Sequence, residues 1–388
     1  MKNALIAFDK FKDALTAHQA CAAAAEAFAE IYPDWTVATS PLADGGDGFC
    51  DTLTRLCDGR FESSSVSGPL GQETTARYGI VETKTISPPA AKLLALPANT
   101  KTLAIVEFAQ SSGIALVPQD QRSPWTTTSY GLGQTIAHAK ASGADAILVG
   151  LGGSATHDLA LGALQALGYR FLDKDSNEVA ELPIPEKWEK IRSIQVPNSP
   201  LSLPVRIACD VENPLLGPNG AAAIFGPQKG LLKKEFQLLD SETNRLAILL
   251  CHATRTGIQM MNTSGAGAAG GAAFGLMAAL DGSIVPGADL VFAWSSLHEK
   301  LAAAELVITG EGRFDASSLQ GKGPGSLARL SLAEGKRLII LAGSLGPLPD
   351  PKIADYAKAI SPPNMPLPEA LAKTEANIRA AIRSVLTS

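Results

Sequence analysis

The sequence predicts an α/β protein in which a second, mixed α/β domain interrupts a doubly wound parallel-sheet domain. Three observations support this prediction. Buried strands alternate with helices at the N-terminus, short alternating segments begin near Glu62, and the strand–helix alternation returns near Asp289. Strands that alternate with helices are typical of parallel sheets. We therefore expect residues 1–62 and 288–388 to form one domain and residues 63–287 to be inserted into it.

The first elements show the alternation most clearly. Apolar runs at residues 3–8 and 36–42 predict buried strands, and helices are expected over residues 16–31 and up to about Cys57. In doubly wound sheets, ligands bind beyond the carboxyl ends of the strands. The acidic residues that follow these two strands lie where a ligand would bind, and they are Asp9, Asp44 and Asp47.

Later segments complete both domains. In the middle of the chain, the patterns predict strands and one Gly/Ala-rich helix, at residues 61–66, 74–81, 102–108, 205–209 and the helix 266–280. Toward the C-terminus, more strands and a final helix are expected, at residues 305–309, 337–341, 358–361 and from about 368.

One stretch carries the strongest sign of a ligand site. A buried strand at residues 146–151 leads into residues 152–156, which we call the glycine turn. An almost wholly apolar helix is expected after Asp158, with Gly168 as its C-terminal stop. Glycines let a ligand approach the backbone, and the first N–H groups of a helix attract anions. The pattern therefore indicates an anion site, although a tight turn with a hydroxyl as N-cap explains it as well.

Composition limits the function classes. The 388 residues carry a net charge of −5 without a basic run, so a nucleic-acid partner is not expected. No stretch approaches 18 uncharged apolar residues, so no membrane partner is expected either. Five scattered cysteines without paired spacing indicate reduced thiols and a cytoplasmic protein: Cys21, Cys50, Cys57, Cys209 and Cys251.

Carboxylates beside glycines recur at predicted loop positions. They are Asp9; Asp44 with Asp47; Asp158; Asp210 with Asn213; and Glu311 with Asp315. Each alone is a common turn residue, but several at strand ends can hold Mg²⁺ or accept a proton from a hydroxyl. Cations near glycine loops suit phosphate or carboxylate ligands, or are solvated surface charges, and they are Lys12, Lys229, Arg313 and Lys322. The combination favours phosphoryl transfer.

Other nucleotide and metal motifs are weak or absent in the sequence. It has neither a P-loop motif nor HExxH, and its histidines lack metal-ligand spacing. His157 is of interest because it directly follows the glycine turn. Residues 265–270 match GxGxxG, but no clear strand precedes them, so close helix packing explains them at least equally well.

Five motifs, in this order, resemble the type 1 glycerate kinase family. They are PLADGGDG at 41–48, GGSAT at 152–156, a segment from NP to GPQKG at 213–230, GAGAAGG at 265–271, and TGEGR at 309–313. The resemblance covers nearly the whole chain and implies a Rossmann-like domain split by an inserted α/β domain. The chain departs from its relatives at Lys10, Asp13, Asp47 and His157, where they commonly have Ser, Gly, Glu and Asn.

The resemblance implies transfer of the γ-phosphoryl group of ATP to D-glycerate, at the 2-hydroxyl, to give 2-phosphoglycerate; the residues themselves do not separate the 2- from the 3-position. Mg²⁺ ligands are expected among Asp44, Asp47 and Asp210. The expected catalytic group is Asp210, Glu311, Asp315 and Lys12, with one of the carboxylates as the base. The expected substrate and phosphate ligands are Asp9, Gly45, Gly46, Gly152, Gly153, Ser154, Thr156, Asp158, Asn213, Lys229, Gly265, Gly267, Arg313 and Lys322.

The residues also fit other functions. A kinase for another small hydroxy acid would carry the same motifs. A non-catalytic sensor of a sugar acid would need no base, although no DNA-reading module is apparent. A nucleotide-dependent oxidoreductase rests only on the weak GxGxxG match. The oligomeric state is open as well, with a homodimer among the alternatives.

Overall fold

The computed structural model describes residues 2–43, 45–319, 323–347 and 353–387. It divides into two compact units, Met1–Asp44 with Ala288–Ser388 and Gly45–Gly287. The predicted α/β fold class is confirmed. Residues 45–62 belong to the second unit in this division, and the domain assignment itself stays a prediction. Within the described residues, no helix is long and apolar enough to cross a membrane.

Strands and helices are numbered in chain order. The strands are β1 (Asn3–Phe8), β2 (Thr36–Thr39), β3 (Arg60–Ser67), β4 (Glu73–Glu82), β5 (Thr102–Glu107), β6 (Ala146–Gly150), β7 (Arg170–Leu172), β8 (Ser193–Gln195), β9 (Val205–Ala208), β10 (Ser283–Val285), β11 (Leu306–Gly310), β12 (Arg313–Phe314), β13 (Arg337–Ala342), β14 (Ser344–Leu345) and β15 (Tyr356–Ala359). The helices are α1 (Ala17–Ile31), α2 (Phe49–Leu56), α3 (Pro88–Leu94), α4 (Phe108–Ser112), α5 (Tyr130–Ala141), α6 (Leu161–Ala166), α7 (Ala221–Phe225), α8 (Phe236–Thr254), α9 (Ala268–Leu280), α10 (Gly287–Trp294), α11 (Leu297–Ala303), α12 (Gly323–Ala333), α13 (Leu367–Ala372) and α14 (Thr374–Leu386).

The first unit is built on a parallel sheet with the strand order β15-β13-β11-β1-β2. Successive side chains of a strand point to opposite faces. On β1, Ala4, Ile6 and Phe8 pack into a core with residues of α1 and α14. Leu5 and Ala7 pack into a second core with residues of α11 and α12. Helices therefore cover both faces of the sheet, which is the predicted doubly wound arrangement.

The second unit contains a mixed sheet with the strand order β10-β9-β6-β5-β4-β3. Strands β5, β6, β9 and β10 are parallel, whereas β3 and β4 pair antiparallel with each other and β4 pairs antiparallel with β5. The buried strand predicted at residues 146–151 is β6, which has no exposed residue. It lies between β5 and β9, at the centre of the parallel part.

The helix predicted between Asp158 and Gly168 is wrong in extent, because α6 spans only Leu161–Ala166. Leu159 and Ala160 adopt left-handed conformations with φ of 55° and 56°. The cause is close packing against α9, where a Cβ on Gly275 would lie 1.8 Å from the Leu159 carbonyl oxygen. The glycine turn is therefore not followed directly by a helix.

The Gly/Ala-rich helix also differs from its prediction. It begins at Ala268 instead of residue 266, and its first turn is interrupted by left-handed conformations at Ala269, Gly270 and Gly271. Gly270 touches the end of the glycine turn, since a Cβ there would lie 2.2 Å from the Thr156 carbonyl oxygen. The two irregular segments thus pack against each other, backbone to backbone.

Smaller differences concern element ends. The second strand ends at Thr39 instead of residue 42, although Ser40 and Leu42 still donate backbone hydrogen bonds to β1. The last strand lies at Tyr356–Ala359 instead of residues 358–361, and the final helical region is divided into α13 and α14.

Candidate active site

The carboxyl ends of three neighbouring strands frame the site in the second unit. Strands β5, β6 and β9 end at Glu107, Gly150 and Ala208, which are paired in register across the sheet. Parallel strands end at the same edge, so the connections that follow them meet there. Most of the binding residues predicted for this unit lie on these connections.

The loop of residues 45–48 lies against the connection after β6. The Gly152 N–H donates to the Gly45 carbonyl oxygen at 3.1 Å, and a Cβ on Gly152 would lie 2.3 Å from the Gly46 Cα. Only a residue without a side chain permits this contact. The predicted residues Gly45, Gly46 and Gly152 are therefore brought together, with the exposed Asp47 next in the chain.

The glycine turn is fixed by hydrogen bonds from two other segments. The Ile114 N–H donates to the Gly153 carbonyl oxygen at 2.8 Å, and the Ala155 N–H donates to the Ser112 carbonyl oxygen at 2.9 Å. The Thr127 hydroxyl donates to the Ala155 carbonyl oxygen at 3.1 Å. The turn is thus preorganised, which suits a site that must hold an anion without rearrangement.

Lys229 lies beneath the glycine turn instead of on the surface. Its side chain is 1% exposed, and its Nζ donates to the Ser154 hydroxyl at 2.8 Å and to the Thr156 carbonyl oxygen at 2.6 Å. Burial lowers the pKa of Lys229 to about 7, and the charge of Asp158 acts in the opposite direction. The lysine therefore supports the turn from inside.

Asp158 is fully buried, and its carboxylate is used within the protein. Its Oδ2 accepts hydrogen bonds from the Ser129 N–H and hydroxyl, both at 2.7 Å, and from the Gly162 N–H at 3.3 Å. Burial raises the pKa of Asp158, while these hydrogen bonds lower it in part. The geometry favours a structural role, in which Asp158 ties the chain after the glycine turn to the start of α5.

His157 is buried in its neutral form. Its Nε2 lies 3.0 Å from the Thr243 hydroxyl, and that hydroxyl already donates to the Leu239 carbonyl oxygen. Nε2 must therefore carry the proton and donate to Thr243. Burial, with a contribution from the charge of Lys229, lowers the pKa of His157 to about 3.

The connection after β9 carries two predicted residues. Asp210 is exposed directly after the strand, and Asn213 follows in a loop where its Nδ2 donates to the Asn219 carbonyl oxygen at 2.9 Å. Gly267 donates its N–H to the Asn213 carbonyl oxygen at 2.9 Å, and a Cβ on Gly265 would lie 3.1 Å from the carbonyl oxygen of Val211. The GxGxxG residues thus pack on this connection.

The first unit brings together a separate group of predicted residues after β1 and β11. Asp9 is buried, and its Oδ1 accepts the Lys10 N–H at 2.6 Å. The Gly312 N–H donates to the Lys10 carbonyl oxygen at 3.3 Å, which joins the two connections. They carry the exposed Lys12 and the half-buried Glu311.

Arg313 and Asp315 form an ion pair in the same unit. The Arg313 Nε lies 2.9 Å from the Asp315 Oδ2, and the Ser317 N–H and hydroxyl donate to Oδ1 at 2.8 and 2.7 Å. Hydrogen bonds from Ser317 and Arg313 hold the pKa of Asp315 well below its usual range. Such a carboxylate is a weak proton acceptor, so the geometry does not favour Asp315 as the base.

Two predicted residues, Asp44 and Lys322, lie outside the described residues. Of the expected metal ligands, Asp47 and Asp210 are both exposed on connections at the same strand edge. Across the described ranges, no three His, Cys, Asp or Glu side chains converge to form a metal site by themselves.

Sequence reasoning missed one buried carboxylate at this edge. Glu107, the last residue of β5, accepts the Cys50 N–H at 2.6 Å and lies within 3.3 Å of the Gln110 side-chain amide. It thereby anchors the first turn of α2, directly after the 45–48 loop. Its position near the end of a predicted strand could have indicated a site residue. It was not selected because no glycine lies beside it in the sequence.

Comparisons with known proteins agree with this arrangement. The model of the glycerate kinase family matches residues 4–388. A glycerate kinase of Halalkalibacterium halodurans is 34% identical, over 99% of this chain and 97% of the relative. A glycerate 2-kinase of Escherichia coli is 36% identical, over 88% of this chain and 85% of the relative.

A solved structure is similar over the same length. A protein of Salmonella typhimurium LT2 assigned as glycerate kinase 2 has a TM-score of 0.79 with this chain at 34% identity, covering 100% of this chain and 97% of the solved one. Matches of this extent cover both units, so they do not depend on a single motif. The chain belongs to the glycerate kinase family and is therefore a kinase.

Proposed function

We propose that this chain transfers the γ-phosphoryl group of MgATP to a hydroxyl of D-glycerate, forming ADP and a phosphoglycerate. Family membership supports the proposal. The observation that carries it is the meeting of the 45–48 loop and the preorganised glycine turn at one strand edge. Phosphoryl transfer depends mainly on positioning and on neutralising charge, which such an edge can provide.

In this proposal, the second unit binds anionic groups through backbone and hydroxyl donors. The glycine turn would hold a phosphate or the glycerate carboxylate through its N–H groups and Ser154. The segments around Asn213 and Gly265 would line the adjoining part of the site. Lys229 and Asp158, which are buried, would keep the turn in shape instead of touching the ligand.

We assign Mg²⁺ to Asp47 and Asp210, together with Asp44. The donor set fits the ion, because Mg²⁺ prefers hard oxygen ligands and is usually held by one or two carboxylates plus substrate phosphates. Both described carboxylates are exposed. When bound, the ion would offset the negative charge of the phosphates.

For the proton acceptor we propose Asp210 or Glu311, since Asp315 is held strongly in its charged form. Lys12 and Arg313, with Lys322, stay proposed for the remaining anionic groups. Asp9 is buried and would position the connection that carries Lys12.

We propose the 2-hydroxyl as the acceptor, because the Escherichia coli relative is named a glycerate 2-kinase. The test is phosphorus NMR of the reaction mixture with D-glycerate, beside parallel reactions with tartronate and lactate. A phosphorus signal coupled to the C2 proton of glycerate would support the proposal. A signal coupled to the C3 protons would move the acceptor to the 3-position, and faster turnover of tartronate or lactate would change the substrate.

A further inference from the structure

The hydrogen bonds of Lys229 determine which way the Ser154 hydroxyl can donate. An ammonium group has donors only, so at 2.8 Å the Ser154 Oγ must accept from the Lys229 Nζ. Nζ also donates to the Thr156 carbonyl oxygen at 2.6 Å. The hydroxyl proton of Ser154 is therefore directed away from the lysine.

That proton has no acceptor among the residues that the structure describes. Within the described part of the chain, neither the hydroxyl proton nor the backbone N–H of Ser154 meets a hydrogen-bond acceptor. Ser154 is also partly exposed, unlike Thr156 and Lys229 behind it. Two adjacent donors on one partly exposed residue form a small site for an anionic oxygen.

We propose that the Ser154 hydroxyl donates a hydrogen bond to an anionic oxygen of the ligand and that Lys229 is the positioning residue that orients this hydroxyl. The inference rests on the proposed kinase function and adds a specific donor to it. The anionic oxygen belongs either to a nucleotide phosphate or to the carboxylate of the hydroxy acid. Lys229 does not touch the ligand, because it is buried behind the turn.

The orientation of the Ser154 hydroxyl depends on pH, because it depends on the protonation of Lys229. Burial lowers the pKa of this lysine to about 7, with Asp158 acting in the opposite direction. The other ionisable group at this place, His157, is neutral. A neutral amine can accept a hydrogen bond, so above pH 7 the Ser154 proton gains a second acceptor in the lysine itself.

The test measures ligand binding by calorimetry, independently of turnover. MgADP and D-glycerate are titrated separately into the full chain and into Ser154→Ala, Lys229→Met and the double variant. Both single variants are expected to weaken binding of the same ligand by about 10- to 100-fold, as for loss of a hydrogen bond to a charged group. The double variant is expected to bind no more weakly than the weaker single variant, because the two residues act in series.

Matched variants separate this role from general damage. Ser154→Thr keeps the hydroxyl and should retain most of the affinity, whereas Lys233→Met removes an exposed lysine of the same segment and should leave affinity unchanged. Wild-type affinity should fall between pH 6.5 and 9, and Lys229→Met should lack this part of its profile. Thermal unfolding of every variant checks that it is folded.

Several results would overturn the inference. Ser154→Ala binding both ligands within about twofold of wild type would remove the donor, and additive losses in the double variant would remove the coupling. If Lys229→Met fails to fold, the Ser154→Ala result alone decides. If the variants lose affinity as expected but the wild type does not turn over D-glycerate, the result would contradict the proposed function and support this inference. A wild-type chain that binds neither ligand would contradict both.

Discussion

Buried ionisable side chains behind the glycine turn define this site at the scale of single residues. Lys229, Asp158 and His157 are all almost completely buried, yet none of them lies within ion-pair distance of another in the described structure. Desolvation is the leading cause of the pKa shift of each. The desolvation cost of each side chain is offset in part by hydrogen bonds, which Lys229 makes to the glycine turn, Asp158 to Ser129 and Gly162, and His157 to Thr243.

His157 makes the stability of the fold sensitive to acid. Its pKa is lowered to about 3 in the folded protein, against 6.5 ordinarily. Between these pH values, His157 is protonated in the unfolded chain and neutral in the folded chain. The residue therefore lowers the free energy of unfolding as pH falls from 6.5 toward 3. We predict that His157→Asn, which can still donate to Thr243, reduces this loss by roughly 1.4 kcal/mol per pH unit in that range.

Urea unfolding at pH 7, 6, 5 and 4.5 measures the effect. The exposed His252→Asn is the matched control and should follow the wild type. Parallel curves for wild type and His157→Asn over this range would show that His157 is not held neutral by burial.

At the scale of elements, the site depends on backbone segments that approach without side chains between them. The contact of Gly152 with Gly46 joins the glycine turn to the 45–48 loop, and that of Gly270 with Thr156 joins the turn to α9. Each contact leaves no room for a Cβ. The shape of the site is therefore set by backbone packing as much as by its functional side chains.

We predict that Gly152→Ala separates the glycine turn from the 45–48 loop. Its Cβ would lie 2.3 Å from the Gly46 Cα, so the two loops must move apart. We expect kcat/KM to fall at least about tenfold, with a stability loss of roughly 1–3 kcal/mol from overpacking. Steady-state kinetics and urea unfolding measure the two effects.

The control is Gly143→Asn, since Gly143 has open space around it and Asn tolerates its positive φ. It should leave kcat/KM unchanged. Wild-type kinetics in Gly152→Ala would mean that the two loops do not form one site.

The positions of many strands were predictable from the sequence, because the spacing of apolar residues indicates which segments are buried. The strands β1, β6, β11 and β13 lie within a residue or two of their predicted positions. The extent of α6 was not predictable, because its apolar sequence satisfies a helical pattern while the left-handed pair at Leu159 and Ala160 arises from packing on Gly275. The burial of Lys229 was not predictable either, because lysines are rarely buried and this one is buried only through tertiary packing.

At the scale of the whole molecule, the question is where the inserted domain begins. The sequence placed the change at residue 62, where the pattern of segments alters. In the structure, α2 precedes this point but belongs to the second unit, with Cys50 N–H bound to the Glu107 carboxylate at 2.6 Å. The contact between α2 and Glu107 joins residues that are distant in the sequence. The local pattern of residues therefore does not show which unit α2 belongs to.

We predict that a fragment of residues 45–287 folds cooperatively and is more stable than a fragment of residues 63–287. The shorter fragment lacks α2 and leaves the buried Glu107 carboxylate without the Cys50 N–H, a loss of roughly 1–3 kcal/mol beyond the lost apolar packing. Urea unfolding of both fragments measures the difference. Equal stability would place the boundary near residue 62.

We propose that this member of the glycerate kinase family phosphorylates D-glycerate, and ADP release tests this activity without further assumptions. The full chain is incubated with MgATP, with and without D-glycerate, and ADP is followed by a coupled assay. We expect ADP release that requires D-glycerate and is strongly reduced in Ser154→Ala. Release independent of D-glycerate, or none while D-glycerate still binds, would contradict it.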